Sequence, residues 1–123
     1  MIERIPLEQL KVGMNVVVSY PLYYGWHQST GLVSYKSYII SRITPKKTKV
    51  ICGDKEFFTK DTVFYFPCEE MNVENRRVAA FVKIQKFVRE IETTSPVKFI
   101  GNVEEMEKAV RVADTFLSFR KKV

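Results

Sequence analysis

The sequence predicts an α+β fold, in which a small antiparallel β-barrel or meander is followed by two helices. Short apolar-rich runs between residues 31 and 66 are each closed by a turn sequence, and their apolar residues recur at even spacing, the period of a half-buried strand. From residue 73 onward the apolar residues change to helical spacing. We therefore expect a β-barrel over residues 1–68 and a helical appendage over residues 69–123 that packs on it.

The strands follow from alternation and from the turn residues between them. Gly13 allows the chain to turn into a first strand at 14–20, whose inward residues would be Met14, Val16 and Val18. Val17 indicates that the opposite face is partly covered as well. Residues 32–44 predict a long strand or a bent pair of strands. The remaining strands are expected at residues 49–52, 56–59 and 62–66, with Pro67 ending the last one.

An aromatic segment interrupts this pattern at residues 21–30. Pro21 is expected to end the first strand, and Tyr23, Tyr24, Trp26 and His27 follow within a few residues. One interpretation is that the rings fold back as a lid over the barrel, because large apolar rings are usually covered. The other is a partner-binding or stacking surface, because Tyr and Trp combine apolar area with a polar group.

Basic residues are candidates for contact with nucleic acid. Lys46, Lys47 and Lys49 surround a tight turn, and Arg42 lies one strand before it. They are either a solvated hairpin tip that discourages edge pairing or a set of phosphate contacts. The first helix adds Arg76 and Lys83 on its polar side, which is either a wet face or a further phosphate contact.

The two helices are predicted at residues 73–92 and 103–119. Asn72 is the expected N-cap of the first helix, and Asn102 with Glu105 matches a capping box for the second. Pro96 separates the helices, because proline cannot continue a helix. Residues 97–100 are then either a short added strand or an extended connector.

Composition limits the functional classes. The net charge of +6 permits phosphate contact without demonstrating it. Cys52 and Cys68 are expected to be reduced thiols, and two cysteines with one histidine do not supply a zinc site, so we expect no metal and no cofactor. No apolar run is long enough to cross a bilayer and the first residues do not form a signal peptide, which together predict a soluble cytoplasmic protein without a membrane partner.

Catalytic constellations are absent from the sequence pattern. The five glycines are isolated rather than grouped in a phosphate-binding loop, and His27 has no evident nucleophile or carboxylate partner. We therefore expect a protein that is not an enzyme.

The segments LKVGM, VVV and YIISRITPKKTKVICGDKEFFTKD resemble small SH3-like or KOW-like β-barrels, and in particular short proteins of bacteriophages and mobile elements. The residues that carry this resemblance are Gly13, Ile43 to Lys47, Val50, Gly53 and Phe57. It covers about half of the chain, and the helical part from Asn72 onward has no counterpart in it. The resemblance implies a barrel used as a binding platform, and a phage origin would add inhibition of a host defence complex, as by an anti-CRISPR protein.

Two functional hypotheses follow. In the first, the protein is a non-enzymatic accessory protein that contacts nucleic acid or a nucleic-acid-bound protein. In the second, it is a protein-binding inhibitor or a structural phage component, with the aromatic segment at the centre of its interface.

Overall fold

The computed structural model of the chain describes residues 1–26 and 28–120. His27, proposed above as part of the aromatic segment, lies outside the described residues. The α+β class is confirmed: two antiparallel sheets, one of two strands and one of three, precede two helices. The hydrogen bonds between strands of the described residues form these two separate sheets and do not close them into a barrel.

The strands are β1 (Asn15–Tyr24), β2 (Gln28–Ile39), β3 (Arg42–Ile43), β4 (Lys49–Cys52) and β5 (Lys55–Phe58), and the helices are α1 (Glu69–Thr93) and α2 (Val103–Phe119).

The chain passes from the first sheet to the second at Ile40 and Ser41. The amide of Ile40 donates to the carbonyl of Met14 over 3.0 Å, whereas the amide of Ser41 donates to Ile51 over 2.8 Å. The alternative of a bent strand pair over residues 32–44 is therefore confirmed. Because Ile40 is fully buried at this corner, the bend lies over the apolar core.

The core lies between the two sheets. Val16 and Val18 are buried as predicted, and Val17 on the opposite face is buried too, which confirms that both faces of β1 are covered. Burial of each such side chain stabilises the fold by roughly 1.5–3 kcal/mol. The buried cluster consists of Ile5, Leu10, Val16, Val18, Ile40, Val50, Cys52 and Phe64.

The strand predicted at residues 62–66 is shorter than expected. Only Tyr65 forms bridges, one to Arg4 and one to Val17, and the Tyr65–Val17 pair exchanges both backbone hydrogen bonds at 2.9 Å. The neighbouring backbone groups of Phe64 and Phe66 bond to the N-terminal residues instead. The prediction of a full strand here was wrong. An alternating apolar pattern does not require that every residue of the segment forms backbone hydrogen bonds with a neighbouring strand.

Helix α1 begins at Glu69, before the predicted start, so the prediction that Asn72 is its N-cap was wrong. Asn72 lies in the first turn and donates to the Glu69 carboxylate over 3.1 Å. Glu69 and Glu70 place negative charge at the positive end of the helix dipole, which favours the earlier start. Met71 is buried, so the first turn of α1 packs on the rest of the chain.

Helix α2 begins at the predicted residue. The side chain of Asn102 accepts the Glu105 amide and donates to the Glu105 carboxylate, each over 2.8 Å, which confirms the reciprocal cap. Residues Pro96–Phe99 form a short 3₁₀ helix, so the expectation of a strand or extended connector there was wrong. Contacts divide the chain into two compact units, Met1–Ile84 and Gln85–Val123.

Candidate functional site

The β1–β2 hairpin continues beyond the core. Its outer part, residues 20–33, is called the distal hairpin here. None of its described residues is buried, whereas Val16, Val17 and Val18 at its base are. The distal hairpin therefore contributes little apolar burial to folding, although its backbone pairing continues as far as Tyr24 and Gln28.

The strand does not end at Pro21, so that expectation was wrong. Pro21 pairs with Val33, and the register shifts between Pro21 and Tyr23. Proline is tolerated where its missing N–H would face away from the partner strand or at a bulge. The hairpin sequence therefore stays extended through the proline and carries the aromatic residues outward.

A hydroxyl network holds the irregular part of the distal hairpin. The Thr30 hydroxyl donates to the carbonyl of Leu22 over 2.8 Å and accepts the amide of Leu32 over 3.1 Å. Between them, Gly31 has a φ of 78°, a left-handed conformation that glycine adopts without steric cost. The bulge is therefore a defined structure, and it fixes the direction of the strands that lead to the tip.

The aromatic residues of the distal hairpin are exposed. Tyr23, Tyr24 and Trp26 expose 58%, 52% and 90% of their surface. Three large rings on one short hairpin do not serve the core, so the interpretation as a lid was wrong. The alternative, in which these side chains form a contact surface, stays a prediction.

This surface carries no formal charge. No Asp, Glu, Lys or Arg occurs between Ser19 and Tyr35, although charged residues make up 28% of the chain. Phosphate contacts of nucleic-acid-binding proteins come largely from Lys and Arg. The distal hairpin thus offers rings, hydroxyl groups and backbone groups, but no cation for a phosphate.

The basic turn is partly engaged with the protein itself. Lys47 has a φ of 55° and its ammonium donates to the carbonyl of Glu8 over 3.4 Å. The Lys49 ammonium lies 5.1 Å from the centre of the Phe58 ring, within range of a cation–π contact. Lys46 and Arg42 are exposed and make no such contact with the described residues.

The register of β3, β4 and β5 places Arg42 and Lys49 on the outer face of the three-stranded sheet. Arg42 pairs with Ile51 and Ile51 pairs with Glu56, so an acidic residue lies in the same row. Arg76 and Lys83 are exposed on α1 instead. The six candidate cations are therefore distributed over a turn, a sheet face and a helix.

Sequence reasoning missed a tyrosine–lysine cluster at the base of the distal hairpin. The hydroxyl groups of Tyr20 and Tyr38 form a hydrogen bond of 2.9 Å, and the Lys36 ammonium lies 5.7 Å from the Tyr38 ring centre. Burial, followed by the hydrogen bond to Tyr38, raises the pKa of Tyr20. The spacing of Lys36 and Tyr38 on one strand face was the available signal, but Tyr20, the hydrogen-bond partner of Tyr38, lies 18 residues before it in the sequence.

Other kinds of site find no support in the described residues. Residues 1–26 and 28–120 contain no cluster of three or more His, Cys, Asp or Glu side chains able to hold a metal ion. No helix in the described part of the chain is long and apolar enough to span a membrane. Both cysteines are free thiols, and burial raises the pKa of Cys52.

Comparison of the chain with protein-family models, with curated proteins and with solved structures gives no match in any of the three.

Proposed function

We propose that this chain is a non-enzymatic binding module that recognises a partner protein through its distal hairpin. The observation that carries the proposal is the exposure of Tyr23, Tyr24 and Trp26 on an uncharged, irregular hairpin. Tyr and Trp are enriched among residues that dominate binding energy at protein interfaces, whereas Lys and Glu are depleted there.

The rest of the distal hairpin fits the same use. It supplies Ser29, Thr30, Gly31 and Gln28 beside the rings. Binding loops of antibodies combine Tyr and Trp with small polar residues, because rigid rings give area and small polar groups give adaptable hydrogen bonds. The Thr30 network also holds the bulge before binding, which reduces the entropy lost when the complex forms.

The proposal extends to the class of protein. The hairpin would project from an SH3-like barrel. The bridges of Tyr65 to Val17 and Arg4 support this, because they pair the last extended residues of the sheet region with β1 and with the N-terminal segment. An accessory protein of a phage or mobile element, whose partner is itself bound to nucleic acid, accounts for the net charge of +6 outside the hairpin. An inhibitor of a host defence complex or a structural phage component would use the hairpin in the same way.

Capture of a partner from cells of the natural host tests the proposal. Tyr24→Ser and Trp26→Ser should each reduce recovery of the partner at least about tenfold, as expected for central interface aromatics. Phe58→Ser is the matched control, because Phe58 is a similarly exposed aromatic residue on β5, outside the hairpin. Equal recovery with Tyr24→Ser and Phe58→Ser would contradict the proposal.

Direct contact with nucleic acid is the second candidate, favoured by one feature of the outer sheet face. Arg42 and Lys49 lie there with Phe58, a half-exposed ring, and single-stranded nucleic acids bind where cations border aromatic rings. Arg42→Glu with Lys46→Glu removes two exposed cations without disturbing Lys47 or Lys49. If this face binds, the double variant should weaken binding of fluorescent single-stranded DNA or RNA and flatten its salt dependence. Unchanged affinity would remove the sheet face from consideration.

A further inference from the structure

The tyrosine–lysine cluster at the base of the distal hairpin includes a fourth side chain, that of Lys55 on β5. The Tyr38 ring meets the Phe57 ring edge to face with 5.1 Å between their centres, so β5 lies beside β2 here. Lys55 precedes Phe57 by two residues and therefore lies on the same face of β5. Burial and the hydrogen bond to Tyr38 raise the pKa of Tyr20, and the positive charges of Lys55 and Lys36 oppose this rise, so both ammonium groups lie near the Tyr20 hydroxyl. All four side chains belong to the unit of residues 1–84.

Both lysines of the cluster lie on the core-facing sides of their sheets. Lys36 pairs with Val18 and Lys55 pairs with Cys52, and both partners belong to the buried cluster. Residues that pair directly across two strands project to the same side of the sheet. An apolar residue is the usual choice at such a position, because it extends the core. The chain has an exposed lysine at each of the two positions instead, so two positive charges lie at the margin of the core.

These two charges have no counter-ion among the described residues. Neither Lys36 nor Lys55 forms an ion pair there. Asp54 and Glu56 flank Lys55 in the sequence, but Glu56 projects to the opposite face of β5 and Asp54 lies in the preceding turn. Two positive charges near one hydroxyl group repel each other, and an anion bound between them removes that repulsion.

The hydroxyl groups of the cluster retain a hydrogen-bond donor. Tyr20 and Tyr38 share one hydrogen bond of 2.9 Å, which uses one of their two phenolic protons. The other proton is donated to no group of the described residues. The cluster thus offers one O–H group and two ammonium groups to an acceptor. A carboxylate matches this set, because its two oxygens accept several hydrogen bonds and bind charged donors most strongly.

We infer that the partner protein presents an Asp or Glu side chain to the tyrosine–lysine cluster. The inference rests on the proposed function, the recognition of a partner protein by the distal hairpin. Tyr20 is the first residue of that hairpin and lies four residues before Tyr24, about 13 Å along an extended strand. One interface of standard size includes both positions. The rings at the tip then anchor the partner, and the carboxylate at the base fixes its orientation.

The surroundings of the cluster favour a carboxylate over a nucleic-acid backbone. A nucleic-acid strand presents a series of phosphates, and each phosphate that is neutralised needs a cation of the protein. The residues from Tyr20 to Ser34 carry no formal charge, so the hairpin has no cation for a second phosphate. A single acidic side chain needs none.

Titration of the full chain with tetraglutamate, followed by the NMR signals of the tyrosine rings, tests the cluster without the partner. At low salt the signals of Tyr20 and Tyr38 should shift, and Lys36→Gln with Lys55→Gln should weaken binding at least about threefold. Lys46→Gln with Lys60→Gln is the matched control, because it removes the same charge from exposed lysines outside the cluster. Absent shifts, or equal weakening by the two double variants, would overturn the inference. Tighter binding of tetrathymidylate than of tetraglutamate would identify a phosphate site and would overturn it as well.

Recovery of the partner separates this inference from the proposed function. Lys36→Gln with Lys55→Gln should reduce recovery of the protein that depends on Tyr24 at least about threefold, whereas the control pair should not. If Tyr24→Ser reduces recovery and the cluster variant does not, the inference is overturned and the proposed function stands. If Tyr24→Ser has no effect, the proposed function fails and the inference fails with it.

Discussion

Asn75 satisfies the backbone of β2 at Tyr35, where the sheet has no further strand. Its amide oxygen accepts the Tyr35 N–H over 2.7 Å, and its amide nitrogen donates to the Tyr35 carbonyl over 2.9 Å. Both bonds are partly buried, so neither backbone group could be left unpaired without loss of stability. A single side chain of α1 therefore fixes the helix start to the edge of the hairpin.

Replacement of Asn75 by Ala should destabilise the unit formed by residues 1–84. We expect a loss of roughly 1–3 kcal/mol in the free energy of unfolding, because two backbone groups lose their partners. Urea unfolding followed by circular dichroism measures the change. Asn72→Ala is the control: Asn72 bonds only to the exposed Glu69 carboxylate and should change stability by no more than about 0.5 kcal/mol. Equal losses in both variants would contradict the role assigned to Asn75.

Alkaline pH should destabilise the fold through its tyrosines. Burial raises the pKa of Tyr20, assisted by the hydrogen bond to Tyr38, and burial followed by the neighbouring Tyr65 raises the pKa of Tyr35. A phenol whose pKa is raised on folding contributes stability fully below its unfolded pKa of about 10 and loses it as the pH rises through the folded value.

Stability measured between pH 8 and pH 11 checks this expectation. The loss at high pH should be smaller in Tyr20→Phe than in the wild type, because the phenylalanine cannot ionise. A wild-type protein that becomes more stable over this range, or a Tyr20→Phe variant with a steeper loss, would contradict the assignment.

Among the elements, the distal hairpin shows how far sequence reasoning reaches. The aromatic content of residues 21–30 was visible in the sequence, and so was the choice between a lid and an exposed surface. The pattern could not decide between them, because exposure depends on whether the strands continue past Pro21. They do so through a bulge held by the Thr30 hydroxyl, a pairing that alternation alone does not encode.

Trp26, the only tryptophan of the chain, makes the exposure of the hairpin measurable. Its indole should emit at the long wavelengths of a solvated ring, and acrylamide should quench it almost equally in folded and unfolded protein. The physical reason is that folding leaves 90% of its surface accessible. Strong protection from acrylamide in the folded protein without a partner would show that the hairpin tip is covered.

The helices show a different limit of prediction from sequence. Their positions were predictable from apolar spacing, and the Asn102–Glu105 cap was predicted correctly because it is a local interaction. The start of α1 was predicted too late, since Met71 and Asn75 bind the helix to residues far away in sequence.

At the scale of the whole molecule, the two units differ in how they are stabilised. The unit of residues 1–84 contains every fully buried apolar side chain of the described residues, whereas the described part of the second unit contains none. Because α2 contributes none of these buried side chains, its amides should exchange faster than those of β1 and β4. Hydrogen exchange followed by mass spectrometry checks this. Protection of the α2 amides equal to that of the β1 amides would contradict the expected difference in local stability.

The distribution of the basic residues is also a property of the whole molecule. The basic excess was evident from the sequence, but the candidate cations lie on three separate elements, and two of them, Lys47 and Lys49, contact the protein itself. The aromatic surface, in contrast, is continuous in sequence and uncharged. This division is the reason for assigning the hairpin to a protein partner rather than to phosphate.

Photo-crosslinking from the hairpin tests that assignment most directly. A benzophenone amino acid is placed at Tyr24, and at Phe58 as the control, and cells that produce the protein are irradiated. If the distal hairpin binds a protein, a protein adduct forms from position 24, resists nuclease and is absent from position 58. An adduct from position 24 that disappears on nuclease treatment, or the same adducts from both positions, would contradict recognition of a protein by the distal hairpin.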